Sequence, residues 1–305
     1  MATDNYLRSY GDTSIKEDVM AEIELLSAQE DGIWSAIGTS RASNTVHSVQ
    51  TDTIQAATTS LAVAEGTDAA LSAITTPSRD TNITEILLKS FGVSGTQRAV
   101  SHYGYEDAYT YQVAKAMKEW LNAAEFDLVR STLTSGASGT IPKMSGIIAK
   151  ITTNATAMNS GTTFSESIMN GLLDLTWSNS NGEVATDIYV GSWIKRKISG
   201  FAGRSGTQAV VDNKSIVNTI DMYFSDFGSH RVHLHRYVFV SGTDATQRFL
   251  AIRPEKFAKA ILRDTKIEEL SKIGDSTRGQ VVGELTLESK NEKCSTYASG
   301  FNLAL

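Results

Sequence analysis

The stretch Tyr105–Thr134, YEDAYTYQVAKAMKEWLNAAEFDLVRSTLT, decides the reading of the fold. Its apolar residues Tyr109, Val113, Ala116, Met117, Trp120, Leu121, Ala124, Leu128 and Val129 recur at steps of three and four, the period of one buried helical face. Tyr109, Val113, Met117, Trp120, Leu121 and Leu128 are expected to make the core contact. Glu106 and Asp107 in the first turn and Arg130 near the end suit the helix dipole. At ~1.5 Å per residue the segment makes a rod of about 45 Å, long enough to be the beam of a flat, elongated domain. Gly136 and Gly139 close it, and Pro142 keeps the chain from resuming the helix. Periodicity alone gives a core helix; the flanking segments decide the function.

Upstream, Ala42–Ser78 is unusual: more than half of its residues are Ala, Ser or Thr, and its only charges are Asp52, Glu65 and Asp68. Thr45–Ala57 and Ala69–Thr76 are compatible with strands, with Glu65-Gly66-Thr67 at the turn. Ordering such a length costs about 40–70 kcal/mol of backbone entropy. The large apolar groups Val46, Val49, Ile54, Leu61, Val63, Leu71 and Ile74 each return only about 1.5–3 kcal/mol when buried. A free hairpin of this make-up is not ordered on its own. Two readings follow, a floppy insertion and a long arm that becomes ordered on another copy of the protein. The low charge favours the arm, because disordered segments usually carry more charge.

The totals narrow the class. The chain has 305 residues and a formal net charge of −6, which argues against a dedicated nucleic-acid binder. With Cys294 as its one cysteine, neither an intrachain disulfide nor a thiolate metal cluster is possible. Met1–Tyr10 lacks a basic segment followed by an apolar core, so no signal peptide is expected. No apolar run approaches the ~18 residues of a membrane span, so no membrane partner is expected and the chain is read as staying in the cytoplasm of the cell that makes it.

Ser14–Ala28 reads as a first helix, with Ser14 and Glu17 at capping-box spacing. Thr81–Val100 alternates densely and leads into the beam; Met144–Ile151 reads as a strand. Phe164–Trp177 is predicted helical with Ser165 or Thr163 as cap, Asp187–Val190 a buried strand, and Trp193–Phe201 a short helix behind it. Ser215–Tyr223 and Arg231–Val240 read as strands joined through Ser225–Ser229, which makes 164–240 a separate lobe. Glu255–Ile273 and Val281–Leu305 supply further strands and a short helix. The fold class is therefore α+β.

No catalytic, cofactor or metal site is assigned. Gly274–Gln280 has P-loop glycine spacing, but Gln280 stands where the phosphate-binding lysine belongs, so a turn is expected. His233 and His235 are two apart on a strand without an evident third ligand. Glu284 and Glu288 lack a cleft, and Lys195, Arg196 and Lys197 read as a solvated helix face or a pair with an acidic neighbour rather than a DNA contact.

Thr81-Asn82-Ile83-Thr84-Glu85-Ile86-Leu87, Val93-Ser94-Gly95-Thr96, Asp221-Met222-Tyr223 with Asp226-Phe227-Gly228, Ile273-Gly274-Asp275-Ser276 and Gly283-Glu284-Leu285-Thr286-Leu287-Glu288 carry a family resemblance. In this order, from about Tyr10 to the C-terminus, the chain resembles tailed-phage major capsid proteins with the Hong Kong 97-type fold. The resemblance implies an N-terminal arm and helix over 1–36, an extended β-hairpin loop over 37–80, and a peripheral domain over 81–163 with a spine helix at 105–134. It also implies an axial domain over 164–250 and a second peripheral part over 251–305.

The implied function is self-assembly into hexamers and pentamers that form an icosahedral shell around double-stranded DNA, with DNA contacted non-specifically on the inner face. The implied place is the virion, after assembly in the host cell cytoplasm. Some relatives weld the shell through a lysine in the extended loop; none lies between Lys16 and Lys89, so no such bond is expected here. Many relatives carry an N-terminal assembly domain; here the match begins almost at once, so the expectation is a separate scaffold protein or a domain already cut off, Met1 favouring the first, beside a portal protein and possibly a decoration protein. The alternatives are a tail-tube or decoration protein of the virion, or a soluble enzyme or binding module carrying 42–78 as a flexible insertion.

Overall fold

The structure, a computed structural model, describes residues 32–54, 62, 64–68, 74, 76–102, 104–158, 162–202, 222–238 and 247–301. The first half of the chain forms α1 (Gly32–Ala36), β1 (Gly38–Arg41), β2 (Val46–Thr51), β3 (Ser78–Ile83), β4 (Glu85–Ser94), α2 (Gly95–Ala99) and α3 (Ala108–Arg130). Then come α4 (Ile147–Lys150), β5 (Ala155–Ala157), α5 (Glu166–Asn179), β6 (Asp187–Val190) and α6 (Ser192–Ala202). The rest is β7 (Met222–Ser225), β8 (Gly228–Leu234), β9 (Gln247–Ile252), β10 (Phe257–Leu270), β11 (Ser276–Ser289) and β12 (Thr296–Phe301). The helix expected at Ser14–Ala28 and the start of the strand expected at Ser215–Tyr223 lie outside the described residues.

The long helix is present as α3, shorter at both ends than its periodicity. Asp107 is its N-cap: its carboxylate accepts from the Tyr109 and Thr110 amides, which leaves Tyr105 and Glu106 outside. At the other end Ser131 N–H closes on Asp127 O, and Thr134 pairs with Lys143 instead of continuing the helix.

α3 lies on a four-stranded sheet ordered β1-β10-β11-β4. Ala116, Trp120, Ala124 and Leu128 form the buried row. The two alanines allow close approach, and Trp120 fills the space against Leu87 and Trp34. The Trp120 indole N–H donates to Leu87 O at 3.0 Å. Tyr109, Val113 and Leu121 are half-buried at the margin of this contact. Met117, expected in the core, is 36 % exposed. It belongs to the row Val113–Met117–Leu121, one step round the cylinder from the row that meets the sheet.

A six-stranded sheet ordered β5-β12-β9-β6-β8-β7 forms the second lobe. One face packs Phe249, Ala251, Ile188 and Val190 against Met169, Leu173, Ile194 and Ile198 of α5 and α6. From the other face Leu250 and Ile252 join the cluster around Trp120 and Leu128, so β9 fastens the lobe to the spine. α5 starts where expected, with Ser165 Oγ accepting from Ile168 N.

The range 251–305, expected to complete the first sheet, divides. β10 and β11 do so, whereas β12 pairs with β9 and β5 in the second sheet. Buried Ala298 and Phe301, packed among Phe164 and Phe249, fix that choice.

Met144–Ile151 is not a strand. Its backbone is satisfied by the end of α3, with Gly146 N donating to Ser131 O at 2.7 Å, and by the turn of α4, with Lys150 N donating to Gly146 O at 3.0 Å. A Cβ on Gly146 would sit 2.8 Å from Asp127 O, so this crossing requires glycine. β2 pairs antiparallel with Ser78–Ile83, register Thr51↔Ser78 to Val46↔Ile83, so the paired strands of the hairpin base include a segment not expected as its second strand. Of the strand expected at Ala69–Thr76, residues 69–73 and 75 lie outside the described residues.

Candidate assembly surfaces

The base of the β2–β3 hairpin is fastened by buried polar groups. Asn82 Nδ2 donates to Ser145 O at 3.0 Å and Leu287 O at 2.8 Å, and its Oδ1 accepts from Ser145 N at 2.8 Å. One side chain thereby ties the hairpin to the spine crossing and to β11. Lys150 Nζ donates to Asp80 Oδ1 at 2.6 Å and Thr81 O at 2.9 Å. Thr84 Oγ1 donates to Glu284 Oε1 at 2.7 Å, and Glu284 also pairs with Arg263. Ser40 Oγ and His47 Nε2 both meet Glu288 Oε2, at 2.5 and 3.2 Å. The two carboxylates considered in the sequence therefore serve the hairpin base and do not face each other across a cleft.

Beyond the Thr51–Ser78 pair the described residues are exposed. Ile54 is 93 % exposed and Ile74 91 %, while Val46 at the base is 51 % exposed and Val49 half-buried. Gly66, at φ 82°, lies in a turn in which Thr67 N donates to Ala64 O at 3.2 Å. Leu61, Val63 and Leu71 lie outside the described residues. A firm base thus carries two isoleucines that their own subunit does not cover.

A buried carboxylate, Glu85, and a half-buried one, Asp127, lie near this base. Burial, then the nearby Asp127 carboxylate, push the Glu85 pKa up to about 7, against a hydrogen bond from Met144 N and the charge of Lys143. Burial likewise raises Asp127, with Lys143 opposing. Asp127 lies inside a helix whose reading rests on apolar periodicity, and Glu85 enters the sequence reading only as one letter of the Thr81–Leu87 motif.

The remaining chemical candidates resolve into structure. His233 Nε2 meets Asp187 Oδ1 at 3.0 Å and His235 Nε2 meets Glu125 Oε1 at 2.7 Å, so the two histidines serve different carboxylates. Among the described residues no group of three or more His, Cys, Asp or Glu side chains is placed to hold a metal. Gly274–Gln280 is the turn and the start of β11, with Gln280 Nε2 donating to Glu268 Oε2 at 2.9 Å. Lys195, expected on a solvated face, is buried with Nζ donating to Val232 O at 2.7 Å, while Lys197 lies over the Trp193 ring. Burial, then the hydrogen bond to Glu183, push the Cys294 thiol up to about 12. No described helix is long and apolar enough to cross a membrane.

A family model described as "SU10 major capsid protein" matches residues 3–301. The chain belongs to the SU10 major capsid protein family. No curated protein matches it in sequence. Among solved structures it is similar to the capsid of an empty GTA particle, with TM-score 0.64, 13 % identity, and 97 % and 100 % of the two chains covered. It is also similar to the capsid of the Myoviridae phage XM1, with TM-score 0.62, 10 % identity, and 93 % and 97 % covered. A third is the holo-SrpI encapsulin complex from Synechococcus elongatus PCC 7942, with TM-score 0.63, 9 % identity, and 98 % of each chain covered.

The fold is that of Hong Kong 97-type tailed-phage capsids, as the resemblance implied. This SU10-family chain is a major capsid protein: a structural component of the virion, not an enzyme, that forms a shell from many copies of itself.

Proposed function

We propose that copies of this chain assemble as hexamers and pentamers that close into an icosahedral shell around double-stranded DNA. The observation that carries the mechanism is the pair Ile54 and Ile74, 93 % and 91 % exposed beyond a hairpin base held by Asn82, Lys150 and Thr84. Covering each by a neighbour contributes about 1.5–3 kcal/mol. The gain per copy is small, but it repeats at every copy of a closed shell. In this reading 37–80 is the extended loop laid across the neighbouring subunit, 81–163 without β5 but with β10 and β11 is the peripheral domain, and 164–250 with β5 and β12 is the axial domain around the symmetry axes. Val46, Val49, Ile54, Leu61, Val63, Leu71 and Ile74 make the loop contacts.

The net charge of −6 suits a wall that attracts its packaged DNA weakly and non-specifically. The chain has no lysine between Lys16 and Lys89, so the loop forms no isopeptide weld and the shell is held by burial and sheet completion alone. A separate scaffold and a portal protein complete assembly in the host cytoplasm, with a decoration protein as a further partner.

The test is electron microscopy of the purified chain beside a variant in which residues 52–77 are replaced by Asn-Gly. Thr51 and Ser78 are paired, so a two-residue turn closes that hairpin. The expectation is closed shells from the natural chain and folded, soluble subunits from the variant. Closed shells from both, or open tubes from the natural chain, would contradict it.

A further inference from the structure

Glu125 stands on the buried side of α3 between Ala124 and Leu128, where periodicity assigns it nothing to do. It is fully buried, and its oxygens take three bonds from outside the helix. Oε1 accepts from Ile33 N and His235 Nε2, both at 2.7 Å, and Oε2 accepts from Trp34 N at 2.7 Å. Ile33 and Trp34 lie in the first turn of α1, whose amides have no acceptor within the helix. His235 directly follows β8 and stands edge-on to Tyr189.

The chain enters α1 close over this histidine: a Cβ on Gly32 would come within 3.4 Å of His235 Cδ2. The middle of α1 is held too, because Lys259 Nζ lies 4.7 Å from the centre of the Trp34 ring and donates to Trp34 O at 2.6 Å. One carboxylate on the spine therefore fixes both the start of α1 and the end of a strand in the second lobe.

The charge distribution gives this joint a purpose. Residues 1–31 hold eight acidic and two basic side chains, and residues 32–305 hold 26 of each, so the whole formal net charge of −6 precedes α1. We propose that Glu125 is a positioning residue that fixes α1, the first described element after the acidic residues 1–31, and that His235 couples α1 to the second lobe. The consequence for the shell rests on the assembly reading above; the joint itself belongs to the single subunit.

Amide hydrogen exchange on the full-length, unassembled chain tests the joint. Glu125→Gln puts a donor where the site needs an acceptor. The Ile33 and Trp34 amides then exchange at least about tenfold faster, the factor that about 1.4 kcal/mol represents, while the core amides of α3 and β11 stay within about twofold. His235→Ala speeds the same two amides by about threefold without touching either, and serves alone if the glutamine variant does not fold. Unchanged Ile33 and Trp34 exchange, or acceleration spread evenly over α3 and β11, overturns the proposal.

The shell consequence is read by making Glu125→Gln in the full chain and in a chain lacking residues 1–31. The substitution changes shell yield only in the full chain; an equal effect in both overturns the positioning role. Failure of the natural chain to form shells would count against the assembly reading, with the exchange result still deciding the joint.

Discussion

Glu85→Gln at two pH values probes the packing beneath the hairpin base. Glu85 is 5 % exposed at the start of β4, and its Oε2 accepts from Met144 N at 3.1 Å. Its folded pKa lies above the ordinary 4.5, at about 7, because burial and Asp127 both disfavour the charge. The fold therefore prefers the protonated acid. The resulting stability is fully present below the unfolded pKa near 4.5 and is lost as pH rises through about 7.

The gap between 4.5 and about 7 corresponds to about 3 kcal/mol at 1.36 kcal/mol per unit. Glutamine is neutral throughout and keeps an acceptor for Met144 N, so it removes this loss. Urea unfolding of unassembled subunits should show the variant within about 1 kcal/mol of the natural chain at pH 4.5. At pH 8.5 it should be more stable by about 2–3 kcal/mol. Other titrating groups largely cancel between the two chains. An equal stability difference at both pH values would refute the burial argument for this carboxylate.

Three further outcomes follow from the same packing. Trp120→Ala, which empties the space between α3 and β4 and orphans Leu87 O, should cost about 3–5 kcal/mol in urea unfolding. Asn82→Ala leaves Ser145 N, Ser145 O and Leu287 O without their partner, and should cost about 2–4 kcal/mol by the same measurement. The double change Ile54→Ser, Ile74→Ser should shift subunit stability by less than about 0.5 kcal/mol. It should nonetheless reduce the yield of closed shells in gradient sedimentation, since both residues are uncovered in the lone subunit.

Much of the local structure is legible in the sequence because it is decided within a few residues. The α3 period, the Ser165 cap of α5 and the apolar strand Asp187–Val190 each follow from neighbours along the chain. What was not legible depends on distant partners. Met117 and Ala116 are equally plausible as core from periodicity, and the choice belongs to the sheet that accepts only a small side chain at close approach.

Ser78–Ile83 is too polar to announce itself as a strand; it pairs because Asp80 and Asn82 are held from α4, Ser145 and β11. The placement of β12 beside β9 likewise rests on Ala298 and Phe301 meeting a cluster built elsewhere in the chain. Glu125 did leave a signal, as a carboxylate four residues after Leu121 and three before Leu128, on the stripe itself. Its partners, 92 and 110 residues away, left none.

The most direct test is a density map of assembled particles, read at residues 52–77. Ile54 and Ile74 should lie covered by side chains of an adjacent copy, with the Asn82 anchorage unchanged from the lone subunit. If instead both isoleucines pack onto their own chain, or remain in solvent inside a complete shell, lateral cover by neighbours is not what holds the particle together.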